Sequence, residues 1–248
     1  MNRLLVVLVL LLGSLHVSAH GLDPSRFEFQ QHLGAALPAS AQFTDERGRR
    51  VAIEDYLGRS PIVLVMGYFD CPNLCDTTLA GVVESLERGG LRPDRDYRGL
   101  FVSIDPREGP ERAGARKREQ FGESAGWSFL TGPSSPVLAN AAGFPYAWDE
   151  HEHEFVHPAG FIVVSPSGSV SRYFPGVRFD PGEVREALEQ AVMGRTGSLA
   201  DRLLLLCTHF DPITGKYGPL VWNITRALVL LFAIAMAWLF LRQRSRVR

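Results

Sequence analysis

Cys71 and Cys75 stand with three residues between them in Gly67-Tyr-Phe-Asp-Cys-Pro-Asn-Leu-Cys-Asp-Thr77, and they are two of the three cysteines in the chain. Such a pair can close a disulfide, exchange disulfides with another protein, or offer two soft donors to a metal ion. A disulfide would be the ordinary reading for an exported chain, because that compartment is oxidising. Three cysteines spread so unevenly are nevertheless too few to staple 248 residues. A bridge across so short a loop would also add little stability, since loop-closure stabilisation grows with loop length. A chemical site accounts for the pair better than a scaffold does.

The elements that must hold this turn follow from periodicity. Residues 61–69 form an unbroken apolar run, a buried strand that leads into the cysteines. From about 74 to 88, Leu79, Val82, Val83 and Leu86 recur at three- and four-residue steps, which predicts a helix with one face on a core, ended by Gly89 and Gly90. Residues 99–104 read as a second buried strand, ending at Asp105-Pro106. The charged stretch 110–121, opened by proline and closed by Gly122, predicts an exposed helix. A short strand (127–130) and a short helix (135–142, serine at its start) come next. Residues 149–157 are polar and read as a solvated loop; 161–164 and 170–174 flank a turn and predict a hairpin, and 181–193 a last amphipathic helix. Upstream, 41–53 predicts another hairpin around 45–48, followed by a helical turn at 55–58, and 20–40 a lead-in segment that wraps the domain. Strands alternating with helices imply an α/β sheet covered on both faces.

The two ends read as appendages. Residues 1–19 carry Arg3, an apolar stretch and Val17-Ser18-Ala19, the layout of a cleaved secretory signal. Residues 220–241 predict a membrane-spanning helix whose 15-residue apolar core, 227–241, is preceded by Arg226. The tail 242–248 holds four arginines and by the positive-inside rule stays in the cytoplasm. Residues 197–219 become a juxtamembrane segment, and the main domain, 41–196, faces outward. The expected location is a bacterial cell membrane, single-pass, with the domain in the periplasm or outside the cell. Without Arg3, Arg226 and the tail arginines, 20 basic residues face 27 acidic ones, so the outward domain carries about −7. That sign excludes nucleic acid as the expected partner, since phosphate binding needs a cationic footprint.

Three motifs together carry a family resemblance: Tyr68-Phe-Asp-Cys-Pro-Asn-Leu-Cys75, Val102-Ser-Ile-Asp-Pro106 and His157-Pro-Ala-Gly160. With the element order, they resemble the SCO/SenC family of copper-binding assembly proteins of cytochrome oxidase. The resemblance implies a thioredoxin-like fold, a central mixed sheet flanked by helices, with the C-terminal transmembrane helix as an addition. It implies that Cys71, Cys75 and His157 bind one copper ion, as Cu(I) or Cu(II), and that the chain is a membrane-tethered chaperone for the copper-A centre of oxidase subunit II. Two thiolates and an imidazole form a soft donor set suited to that metal. The positive end of the following helix is expected to favour the thiolate forms.

Other residues near or beyond these motifs have humbler readings beside their functional ones. Asp70, Asp76 and Asp105 flank the motifs and could tune a metal from outside its ligands, or simply cap local structure. His151 and His153 alternate with glutamates, the pattern of a solvated loop or of an accessory metal-gathering tract. Cys207 and His209 could form an accessory site, or Cys207 a buried thiol, and His20 becomes the N-terminus once the signal is removed. The competing function is a thiol–disulfide oxidoreductase that reduces the cysteines of an exported client through Cys71 and Cys75. A peroxide-reducing role has no matching motif around Cys71.

Overall fold

A computed structural model describes residues 24–71, 75–122 and 126–195, with Val229 beyond them. The chain divides into a unit of residues 1–196 and one of 197–248. The expected signal peptide, juxtamembrane segment, membrane helix and tail, with His20, Cys207 and His209, lie outside the described residues apart from Val229. Among the described residues no helix is long and apolar enough to cross a membrane.

After a 3-10 turn at Pro24–Phe27, the order is β1 (Gln42–Thr44), β2 (Arg50–Ala52), a second 3-10 turn (Ile53–Tyr56), β3 (Ile62–Gly67) and α1 (Cys75–Arg88). It continues through β4 (Arg98–Ser103), α2 (Pro110–Phe121), β5 (Trp127–Leu130), α3 (Ser135–Ala141), β6 (Ala147–Asp149), β7 (Glu154–Val156), β8 (Gly160–Val164), β9 (Val170–Pro175) and α4 (Pro181–Val192). Five strands form one mixed sheet in the order β5-β4-β3-β8-β9. β3, β4 and β5 are parallel, whereas β8 runs antiparallel to β3 and β9 antiparallel to β8.

Successive strand residues face opposite sides of a sheet, so a continuous apolar strand must be covered twice. β3 is buried along its whole length. Ile62, Leu64 and Met66 join one core with Leu100, Val102, Leu130, Ile162 and α3's Leu138. Val63 and Val65 join the other, with Phe101, Phe129, Phe161, Leu79, Val82 and Leu86 of α1, and Val184 and Leu188 of α4. The lead-in closes the first core, where Phe29 packs on Phe144 and Tyr173 at 5.9 and 5.4 Å. Its backbone also pairs with the β8–β9 turn, Gly34 N–H to Val170 O and Leu37 N–H to Gly168 O, both 2.8 Å.

Two expectations need correction. The helix α2 is not wholly exposed: Arg116 and Lys117 are buried. Lys117 Nζ donates to Glu46 Oε1 at 2.6 Å, and Glu46 Oε2 accepts from the Phe129 N–H at 3.2 Å, so a charged pair ties the β1–β2 turn to α2 and β5. Charge alone marks a helix face as solvated only when no opposite charge is buried with it. The polar stretch 149–157 also contains structure, the hairpin of β6 and β7. Its strands are three residues long and have no apolar run; Phe155 holds them together, meeting Trp148 at 5.1 Å and Tyr146 at 6.0 Å.

Candidate metal centre

The sheet brings three chain segments to one end. Gly67, the last residue of β3, pairs with Ser103, the last of β4. Because β8 is antiparallel to β3, with Leu64 opposite Ile162, the entry to β8 lies beside those two exits. Cys71 and Cys75 follow the exit of β3, and His157 precedes the entry to β8. Residues 82 positions apart therefore meet, with His157 Nε2 at 3.4 Å from Cys75 Sγ. Donor atoms of Cys71, Cys75 and His157 all lie within 4.8 Å of one another, the one such group of three found among the described residues. Metal bonds of about 2.0–2.3 Å place trigonal donors roughly 3.5–4 Å apart, so these three need only small shifts to close on one ion.

The histidine is prepared for that role. Its Nδ1 lies 2.9 Å from the Pro158 carbonyl oxygen, which can only accept, so the proton sits on Nδ1. In the neutral imidazole, Nε2, facing Cys75, then carries the lone pair. Orienting an imidazole through its second nitrogen is the usual support for a ligating histidine. The ring is stacked on Phe144 at 5.4 Å and met edge-on by Tyr68 at 6.0 Å. Gly67 lies beneath: a methyl there would touch Cys75 Sγ at 3.4 Å and His157 Cε1 at 3.7 Å.

Cys71 is half-buried and Cys75 buried, and no disulfide joins them. The pull of the helix start toward thiolate is opposed at Cys75. A hydrogen bond with the Cys71 sulfur, followed by burial, pushes the Cys75 thiol up, and a bond from the Tyr68 backbone N–H opposes this only in part. Two sulfurs sharing one buried place cannot both ionise without a cation between them. An ion replacing their protons removes that conflict.

Each flanking aspartate has an arginine partner. Asp70 accepts from Arg112 Nε at 2.6 Å, Asp76 bonds Arg116, and Asp105 takes Arg107 Nε and Nη2 at 2.8 and 2.7 Å. Burial pushes the Asp105 carboxyl up, but side-chain and backbone bonds from Arg107 outweigh it and hold the group below the usual range. Arg107 also lies over Trp148, 4.7 Å from the ring centroid. Asp70, Arg112, Asp105, Arg107 and Trp148, with Tyr68, Glu108 and His153, line a groove of about 590 Å³ next to the cysteine turn. His151 and His153 stand exposed on the β6–β7 turn, outside the donor group.

Glu108 carries a role that sequence reasoning missed. Its carboxylate accepts from the Phe69 and Asp70 N–H groups at 2.7 and 3.0 Å and from the Ser103 hydroxyl at 2.5 Å. It thus pins the strand exit that delivers Cys71. Burial pushes this carboxyl up, against the pull of those same bonds. Glu108→Ala leaves the buried Phe69 N–H and Ser103 hydroxyl without their acceptor, at about 1–3 kcal/mol for each unmet group. The expected result is a melting temperature lower by roughly 5–10 °C in the metal-free chain, read by thermal unfolding. Glu108→Gln, which keeps an acceptor oxygen, is expected to lose less than half of that.

A family model described as SCO1/SenC matches residues 30–193. The match starts inside the expected lead-in, in keeping with that segment's pairing to the β8–β9 turn. A search of curated proteins finds no match. Among solved structures, a protein of Aquifex aeolicus VF5 carrying an electron-transfer designation has a TM-score of 0.60 and 23% identity, covering 68% of this chain and 98% of its own. ScoI of Arabidopsis thaliana, solved with copper bound, has a TM-score of 0.53 and 17% identity, covering 65% and 98%. BsSco, studied for a disulfide switch and described as a member of the Sco family of cytochrome c oxidase assembly proteins, has 0.51 and 20%, covering 66% and 97%. At such identities these likenesses speak for the fold, and the mixed sheet flanked by helices agrees with them. With its model matched over 164 of 248 residues, counted from 30 to 193, the chain belongs to the SCO1/SenC family.

Proposed function

We propose that this chain is a copper chaperone of cytochrome c oxidase assembly, tethered to a bacterial membrane by residues 220–241 with its main domain outside the cytoplasm. Copper is its cargo. Cys71, Cys75 and His157 hold the ion, and transfer to the copper-A centre of oxidase subunit II proceeds by exchange of these ligands for those of the client. The observation that carries the reading is the meeting of two sulfurs and an imidazole nitrogen within 4.8 Å, with the other ring nitrogen held by the Pro158 carbonyl. Soft donors of that kind select copper over hard ions, which want carboxylates. Half-burial of Cys71 and His157 leaves a side from which a client's ligand can enter.

The same exposure difference favours a second reading. An accessible Cys71 beside a buried Cys75 is a workable attacking and resolving pair for thiol–disulfide exchange with an exported client. Loading the reduced full-length chain with Cu(I) under anaerobic conditions separates the two. One tightly held copper per chain in the wild type, absent from Cys71→Ser and Cys75→Ser, is the expected outcome. A wild type without specific copper whose dithiol still exchanges would put the oxidoreductase first.

A further inference from the structure

Tyr68 touches the donor group through its ring, which meets His157 at 6.0 Å and Phe155 at 5.5 Å, both edge-on. The side chain is 5% exposed, and its hydroxyl oxygen is buried with no hydrogen-bond partner of ordinary geometry. What lies beside that hydroxyl is the sulfur of Cys71, which after burial contributes most to pushing the phenol up. A buried hydroxyl without a partner destabilises the chain that holds it, and a phenylalanine of the same shape would fill the place at no such penalty. A thiol is a weak acceptor, but a metal-bound thiolate is a strong one, and bonds to ionised acceptors are the shorter and stronger kind.

We propose that Tyr68 is a positioning residue of the copper site, its hydroxyl donating a hydrogen bond to the Cys71 sulfur when that sulfur is a copper-bound thiolate. The inference rests on the reading of Cys71, Cys75 and His157 as the ligands. The bond orients the sulfur's remaining lone pairs and draws charge from it, so the polar atom left unmet in the metal-free protein finds its partner in the loaded one. No proton is transferred and no covalent bond changes.

The test compares the full-length wild type with Tyr68→Phe in three measurements: Cu(I) retention against a competing chelator, the thiolate-to-Cu(II) absorption of the oxidised complex, and the melting temperature of the metal-free chain. Tyr68→Phe is expected to keep one copper per chain and to hold it about tenfold less tightly, the lower end of what outer partners contribute. The absorption should move to lower energy, because a sulfur relieved of its hydrogen bond gives up electron density more easily. The metal-free variant should melt no lower than the wild type. Retention within twofold together with an unmoved absorption overturns the inference while leaving the three-ligand reading intact. A metal-free variant that melts well below the wild type overturns it too, in favour of a purely structural role. A wild type that takes no copper overturns both readings.

Discussion

His157→Ala is expected to weaken copper retention by at least about a hundredfold, since partners outside the ligand set alone contribute about 10–100-fold. In the proposed site the imidazole is the donor that arrives from the far segment; without it Cys71 and Cys75 would remain as a two-coordinate pair. Competition against a chelator of known affinity reads the loss in the reduced full-length chain. Because the ring is packed between Phe144 and Tyr68, alanine also leaves a cavity. His157→Phe separates the effects, keeping an aromatic ring there while removing the nitrogen donor. Equal loss of copper in both variants is the expected result, with the better melting temperature in the phenylalanine variant. Unchanged affinity in either one would sink the three-ligand model. Disulfide exchange by Cys71 and Cys75 should survive both changes.

The second large effect falls on the fold. Gly160 opens β8 with φ of +135°, and a methyl added there would lie 2.1 Å from the Phe174 carbonyl oxygen and 3.0 Å from the Phe29 ring. Side chains other than glycine's rarely occupy that backbone region, and here the obstacle is the backbone of β9, which cannot rotate away. Gly160→Ala combines backbone strain with overpacking, each about 1–3 kcal/mol, for a total of roughly 3–5 kcal/mol. A melting temperature lower by about 10 °C or more is expected. Since His157 lies three residues upstream, copper retention should fall along with stability, in contrast to His157→Phe. A Gly160→Ala chain that melts like the wild type would mean that β8 and β9 separate at this point with ease.

Gly160 also shows where sequence reasoning had purchase. The motif from His157 to Gly160 pointed to a strand entrance carrying a donor, and the mixed sheet explains the glycine: β9 passes too close for a side chain. Apolar periodicity reported the buried strands and amphipathic helices, and Pro110 and Gly122 the bounds of α2, because each depends on residues near one another in the chain. Contacts between distant segments were another matter. Glu108 sits in a polar loop and discloses its purpose only when β4 places it against the N–H groups of Phe69 and Asp70. Lys117 reads as a solvated charge until Glu46, 71 residues earlier, is brought to it. The β6–β7 hairpin is held by aromatic side chains meeting across it, which a run of alternating histidine and glutamate conceals.

The meeting of Cys75 and His157 across 82 residues has a consequence for the chain as a polymer. An ion bound to both is a clip that closes a long loop, and such clips restrict an unfolded chain more the longer the loop they span. On the proposed reading, the bonds that hold copper would then also steady the fold, and the metal-free chain would unfold more readily than the loaded one.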